Sequence, residues 1–337
     1  MSDLKLRIAT RKSALALAQT TMAADAIVAA NAAAESLTYE LVSMTTEGDR
    51  RLDKSLASFG GKGVFIKELE IALLEDRADI AIHSLKDMPA EVLPQFKLAA
   101  VLKREDPRDA FLSRGGANGV HFMDLPVGAR IGTGSIRRVV QLKALRPDLE
   151  YVPIRGNIQT RIGKLAELDG VVLAAAGLKR MGLADQVTEY FSTEQMLPAS
   201  GQGILAIETL NDATVQESRV TGRADLAQIL ARVNDVATYC IASAEMAYLK
   251  ALNAGCQFPV ASFAEFVCDD SVEDRGTCGA LEENAQTLKI RGIYWDEKSN
   301  RLLRAETSGA LDLNSADSVH QAKNLGVELA CAIQKQL

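Results

Sequence analysis

Strand-like and helix-like stretches alternate through the first two thirds of the chain. The segment 14–32 predicts a helix with Ser13 as its N-cap. In 64–77, apolar side chains recur at i, i+4, i+7 and i+8, which is typical of an amphipathic helix. The strands predicted around these helices lie at 6–10, 39–44, 78–85 and 98–103.

The same rhythm restarts after residue 111. Helices are predicted at 136–146, where Pro147 stops the pattern, and at 157–168. The apolar run GVVLAAAGL (170–178) is typical of a buried parallel strand. This βα alternation predicts an α/β fold with parallel or mixed sheets and helices on both faces.

From about residue 235 the pattern changes. A helix at 237–252 precedes three predicted antiparallel strands, and the chain closes with a helical pattern over 315–337. These elements predict a separate, smaller α+β domain.

Charge and hydropathy argue against several classes of protein. The chain has 337 residues and a formal net charge of −6, which argues against a general nucleic-acid binder. The first residues carry charges instead of an apolar signal core, and no stretch approaches the roughly 20 apolar residues of a membrane helix. We therefore expect a cytoplasmic protein without membrane or nucleic-acid partners.

The five cysteines all lie in the last third of the chain. Their odd number argues against a disulfide framework. The absence of a CxxC pair and the scattering of the three histidines argue against a structural zinc site, so we expect no metal. For Cys256, in LNAGCQFPV, a buried thiol and a reactive thiol both remain open.

Basic side chains recur where predicted strands end. In open α/β sheets ligands bind beyond these ends, near helix N-termini. A single cation at such a position is usually solvated surface, but the recurrence favours a basic cleft for a polyanionic ligand. Its members are Arg11, Lys62, Lys86, Arg137, Arg138, Arg155, Arg161 and Arg180.

Asp87 is the acidic exception at these strand ends. Its carboxylate could cap a helix or form a surface ion pair. It could equally hold an N–H group or stabilise a developing cation in the cleft. The sequence around Asp87 does not decide between these two interpretations.

Motifs in chain order reveal a family resemblance. RIATRKSALALAQ, GGKGVFIKELE, ADIAIHSLKDMP, GTGSIRR, RGNIQTR, LPASGQG and GCQFPVASFAE resemble blocks of the hydroxymethylbilane synthase (porphobilinogen deaminase) family. The resemblance runs from about Arg7 to the C-terminal helix. One departure is GTGSIRR itself, where Gly134 stands in place of the family's usual serine.

The resemblance implies a three-domain transferase whose first two domains are lobes like those of a periplasmic solute-binding protein. The expected domains are 1–103 with 200–225, then 104–199, then 226–337. The implied reaction joins porphobilinogen units with loss of ammonia, giving linear hydroxymethylbilane for heme and porphyrin biosynthesis. The implied primer is a dipyrromethane cofactor in thioether linkage to Cys256, and a monomer is expected.

The resemblance also implies roles for single residues. Asp87 is the expected catalytic residue, facing the pyrrole N–H groups and the cation left by loss of ammonia. The alternative is a non-catalytic two-lobed binder of small anions. The residues expected to bind cofactor and substrate are Arg11, Ser13, Lys62, Ser84, Lys86, Thr133, Ser135, Arg137, Arg138, Arg155, Arg161, Arg180 and Gln202.

Overall fold

The residues that the structure describes form two five-stranded mixed sheets and one three-stranded antiparallel sheet. The computed structural model describes residues 4–32, 37–46, 66–214, 223–254, 258–267 and 285–337. Helices cover the sheets, so the predicted α/β class with mixed sheets and a smaller C-terminal α+β unit is confirmed.

The strands and helices of the described residues follow the alternation predicted from the sequence. The strands are β1 (Leu4–Arg11), β2 (Leu37–Met44), β3 (Ile80–Ser84), β4 (Phe96–Val101), β5 (Asp109–Ser113), β6 (Arg130–Gly132), β7 (Glu150–Val152), β8 (Gly170–Ala174), β9 (Glu189–Tyr190), β10 (Leu205–Leu210), β11 (Val260–Val267), β12 (Ala285–Asp296) and β13 (Arg301–Asp312). The helices are α1 (Ala14–Asn31), α2 (Lys67–Leu74), α3 (Ile136–Leu145), α4 (Ile158–Gly163), α5 (Ala175–Arg180), α6 (Arg223–Val233), α7 (Val236–Ala251) and α8 (Ser318–Gln334).

The first sheet has the order β2-β1-β3-β10-β4 and the second β7-β6-β8-β5-β9. In the first, β1 runs parallel to β2 and β3, so these strands end at one edge. In the second, β6 runs parallel to β7 and β8, with the same consequence. The strand ends of each lobe are therefore gathered, as binding in an α/β sheet requires.

The third sheet has the order β11-β12-β13, and α7 and α8 pack together on it. Tyr248 of α7 is fully buried there, and its hydroxyl donates to the carbonyl of Ile293 at 2.9 Å. This sheet and its helices have a hydrophobic core of their own, built around Leu288, Ile290 and Leu329.

The run 170–178 is not one strand. Strand β8 ends at Ala174 and helix α5 begins at Ala175. Nor is β8 purely parallel, because it pairs antiparallel with β5 on its other side. The prediction was wrong because a short apolar run is compatible with a buried strand and with a buried helix, so hydropathy did not mark the boundary between them.

The backbone passes between the two lobes twice, at 102–108 and at 199–204, and we call these segments the two crossings. The domain limits stay a prediction. The predicted limit between 225 and 226 falls inside α6, which buries Ile229 and Leu230 in the core of the first lobe beside Ile27.

The buried carboxylate of Glu245 forms hydrogen bonds with both crossings and with the third sheet. Glu245 of α7 is fully buried and accepts hydrogen bonds from Arg104 Nη1 at 2.7 Å, from the N–H of Gly201 at 2.6 Å and from the N–H of Ala264 at 2.8 Å. The two carboxylate oxygens of Glu245 thus bind three segments that are far apart in sequence.

Candidate active site

A cavity of about 580 Å³ lies against the ends of strands from both lobes. Residues that follow β1, β3, β7 and β8 line it, as do the second crossing and part of the third domain. This volume lies within the usual range for small-molecule sites. The predicted residues that line the cavity are Arg11, Ser13, Ser84, Lys86, Asp87, Ser135, Arg137, Arg138, Arg155, Arg161, Arg180 and Gln202.

Three predicted residues are not among those lining the cavity. Thr133 is buried beside it, where its hydroxyl accepts from the N–H of Ser135 at 3.4 Å. Lys62 and Cys256 lie outside the described residues. The chain on one side of Cys256 is described from Phe258 onward, and Phe258 lines the cavity.

Ser13 is the N-cap of α1, as predicted. Its backbone is extended, and its hydroxyl accepts from the N–H of Ala16 at 3.3 Å. The first turn of α1 therefore begins at the cavity wall, next to Arg11.

Asp87 projects from a short turn at the end of β3. Residues Leu85–Asp87 form a 3-10 turn, anchored by the buried Leu85 and Met88. The N–H of Leu85 donates to the carbonyl of Ile204 at 3.0 Å, which ties the turn to the second crossing. The Asp87 side chain is exposed at the cavity. The position fits a carboxylate that meets a ligand.

Lys86 reaches into the same cavity. Burial lowers the pKa of its ammonium group to about 8, Asp87 opposes that shift, and the positive charge of Arg138 adds to it. Its Nζ donates to Oε1 of Gln202 at 3.3 Å. Lys86 is therefore a cation that changes charge in the alkaline range and that gains from an anion beside it.

Asp109 holds the arginine pair of α3, and sequence reasoning missed it. Arg137 Nη1 donates to Oδ2 of Asp109 at 2.8 Å, and Arg138 Nη2 donates to Oδ1 at 2.8 Å. All three side chains are nearly inaccessible to solvent. Burial by itself would raise the pKa of Asp109, but the two guanidinium charges hold it far below its usual value.

Gln202 connects this ion-pair cluster to Lys86. Its Nε2 donates to Oδ1 of Asp109 at 2.9 Å and to the carbonyl of Pro107 at 2.7 Å. Since Oε1 accepts from Lys86, one amide side chain bridges the two lobes. Gln202 therefore orients groups from both walls of the cavity.

The remaining arginines of the cavity are more open. Burial lowers the pKa of Arg161, and the charge of Arg138 lowers it further, although Nε of Arg161 donates to the carbonyl of Gly156 at 2.7 Å. Arg155 is exposed at the wall.

Arg180 leaves a buried donor at the cavity. Its Nη2 donates to the carbonyl of Gly203 at 2.6 Å, while its buried Nε has no hydrogen-bond partner among the described residues. Burial lowers the pKa of this guanidinium to about 10, against the opposing charge of Glu105. A buried donor of this kind in a basic cavity fits a ligand that carries carboxylates, as a dipyrromethane with its acidic side chains does.

The departure at Gly134 has a steric reason in this chain. A Cβ atom on Gly134 would lie 2.6 Å from the carbonyl oxygen of Ile154. A serine here would require a shift of the backbone after β7, next to Arg155 on the cavity wall.

The described residues contain neither a candidate metal site nor a helix able to span a membrane. They contain no group of three or more His, Cys, Asp or Glu side chains able to hold a metal ion. None of their helices combines the length and the apolar character that crossing a bilayer demands.

Two family models match the chain. Residues 6–217 match "Porphobilinogen deaminase, dipyromethane cofactor binding domain", and residues 239–335 match "Porphobilinogen deaminase, C-terminal domain". The chain belongs to the porphobilinogen deaminase family. Membership confirms the predicted transferase and its dipyrromethane cofactor, and it does not favour the non-catalytic anion binder.

Curated relatives agree over nearly the whole length. The porphobilinogen deaminase of Syntrophus aciditrophicus is 44% identical over 329 residues, 96% of this chain and 94% of that protein. The porphobilinogen deaminase of Chromobacterium violaceum is 47% identical over 324 residues, 95% of this chain and 94% of that protein.

A solved structure of another class resembles part of the chain. It is a TRAP periplasmic solute binding protein from Desulfovibrio salexigens, with a TM-score of 0.40 and 13% identity, covering 69% of this chain and 73% of that one. A likeness this weak says nothing about function.

Proposed function

We propose that the chain joins porphobilinogen units in the cavity between its lobes, on a primer held by Cys256, and that Asp87 is the catalytic residue. The observation that carries this proposal is the arrangement of one exposed carboxylate, Asp87, among the cations of one cavity. When bound, the dipyrromethane supplies the pyrrole to which the first unit is added.

The cations of the cavity bind the acidic side chains of substrate and product. Porphobilinogen carries an acetate and a propionate, so a growing chain is a polyanion that guanidinium groups bind in bidentate fashion. Arg155, Arg161 and Arg180 line the cavity and are the arginines that we assign to these carboxylates, whereas Arg137 and Arg138 bind Asp109.

Asp87 acts on the substrate's reacting end. Loss of ammonia from porphobilinogen leaves a delocalised cation whose pyrrole N–H is a donor. A carboxylate that accepts from this N–H stabilises the cation as it forms. The positive charge of Lys86 beside it helps to position a carboxylate of the substrate.

Cys256 serves as a tether and takes no part in the bond changes at the growing end. Phe258, two residues on, lines the cavity, which supports a tether that opens into it. We further propose a cytoplasmic monomer, whose cavity is lined by residues of one chain.

Intact mass of the denatured protein, before and after addition of porphobilinogen, tests the proposal. The purified protein should exceed its sequence mass by one linked dipyrrole, and porphobilinogen should add further pyrrole units with release of ammonia. Cys256→Ser should remove the added mass, while Cys331→Ser, at an exposed cysteine, should keep it. Active protein with an unmodified Cys256 would overturn the tether.

A further inference from the structure

The wall that the third domain contributes to the cavity is apolar. Leu249 of α7, Val260 of β11 and Phe258 line this side, whereas the cations come from the two lobes. Phe258 is 39% exposed and lines this side of the cavity. Its face is therefore available to a ligand inside the cavity.

The backbone at Phe258 is well fixed. Pro259 follows it, which restricts Phe258 to extended conformations. The N–H of Val260 donates to the carbonyl of Phe258 at 2.8 Å, and the N–H of Trp295 donates to the carbonyl of Pro259 at 3.1 Å. The ring thus projects from an anchored strand start.

Covalent connectivity brings this ring close to the proposed tether. Two peptide bonds separate Cys256 from Phe258, so their Cα atoms are no more than about 7.6 Å apart in any conformation. A pyrrole bonded through one methylene to the sulfur of Cys256 stays within reach of a side chain as long as phenylalanine.

We propose that Phe258 is a positioning residue for the first pyrrole ring, the one bonded to Cys256. The inference rests on the proposed attachment. A pyrrole has two apolar π faces and carries its carboxylates at the edge, so an aromatic wall on one side and arginines on the other suit it. Phe258 packs against the ring and shields it from water.

A double-mutant cycle on stability tests this without measuring turnover. Urea unfolding is compared for Phe258, Phe258→Leu and Phe258→Tyr, each in the native background and in the Cys256→Ser background. If the ring contact exists, Phe258→Leu should lower the folding equilibrium constant about two- to tenfold more in the native background. Phe258→Tyr keeps the ring and should show little such coupling.

The outcomes separate the two claims. Intact mass is recorded for every variant. A dipyrrole mass that persists in Cys256→Ser overturns the attachment and this inference with it. If that mass is lost as expected but Phe258→Leu costs the same in both backgrounds, Phe258 has only a structural role, and the inference alone fails.

Discussion

Arg138 binds Asp109 through two nitrogens, with Nε at 3.0 Å and Nη2 at 2.8 Å from the same carboxylate oxygen. Arg137 donates a hydrogen bond to the other oxygen, Oδ2. The pair was predicted to bind the ligand, but its first function in the structure is to neutralise a buried carboxylate. Its side chains are thereby held rigid at the cavity wall.

Asp109→Asn should be strongly destabilising, because it leaves two buried guanidinium groups without their counter-charge. Loss of one partner of a buried ion pair costs about 3–5 kcal/mol. Urea unfolding measures this cost. Glu150→Gln, which removes an exposed partner of Arg130 in the same lobe, should change stability by less than about 1 kcal/mol. If both variants lower the free energy of unfolding equally, the buried cluster contributes no more to stability than the exposed ion pair.

Asp87→Asn should fold normally and keep the dipyrrole mass, because the side chain is exposed. Its kcat should fall by about 100- to 1000-fold, as expected when a group that stabilises a developing charge is lost. Glu91→Gln is the matched control, since Glu91 lies nearby in sequence, pairs with Lys250 at 2.7 Å and does not line the cavity. Normal turnover by Asp87→Asn would remove this residue from the mechanism.

Lys86 should impose an alkaline limit on substrate binding. Only the protonated amine attracts a carboxylate, and its pKa of about 8 means that charge is lost as pH rises through that value. KM should therefore rise up to about tenfold for each pH unit above 8, to the extent that binding depends on this charge. Lys86→Arg should move the limit beyond pH 10, whereas Lys97→Arg, at an exposed lysine, should not. A KM independent of pH up to 10 in the native protein would contradict this role.

Gly203 is needed for the close approach of the two crossings. Its φ is +91°, and a Cβ atom would collide with the carbonyl oxygen of Glu105. Gly182 also has a positive φ, +68°, but a Cβ there would meet nothing within 4 Å. Gly182→Ala should cost about 1–2 kcal/mol for its backbone conformation alone. Gly203→Ala should lower the free energy of unfolding in urea clearly more than Gly182→Ala does. An equal loss would mean that the two crossings can move apart to accommodate the Cβ atom without added strain.

The sequence predicted best what depends on local pattern. Arg11 and Lys86 were expected at one edge because each follows a strand, and the parallel pairing of β1 with β3 places both at the cavity. Asp109 was missed for the opposite reason. Its partners come from a helix 28 and 29 residues later in the chain, and an aspartate that opens a strand is ordinarily a surface residue.

The hydrogen bonds of Glu245 have a mechanical consequence for the cavity. Because this carboxylate binds Arg104 in the first crossing and Gly201 in the second, rotation of the lobes about the crossings pulls on α7. The same carboxylate binds Ala264 in the strand that starts just after Phe258. Any displacement of the crossings therefore either breaks hydrogen bonds of this buried carboxylate or also moves α7 and β11, which border the cavity through Leu249 and Val260.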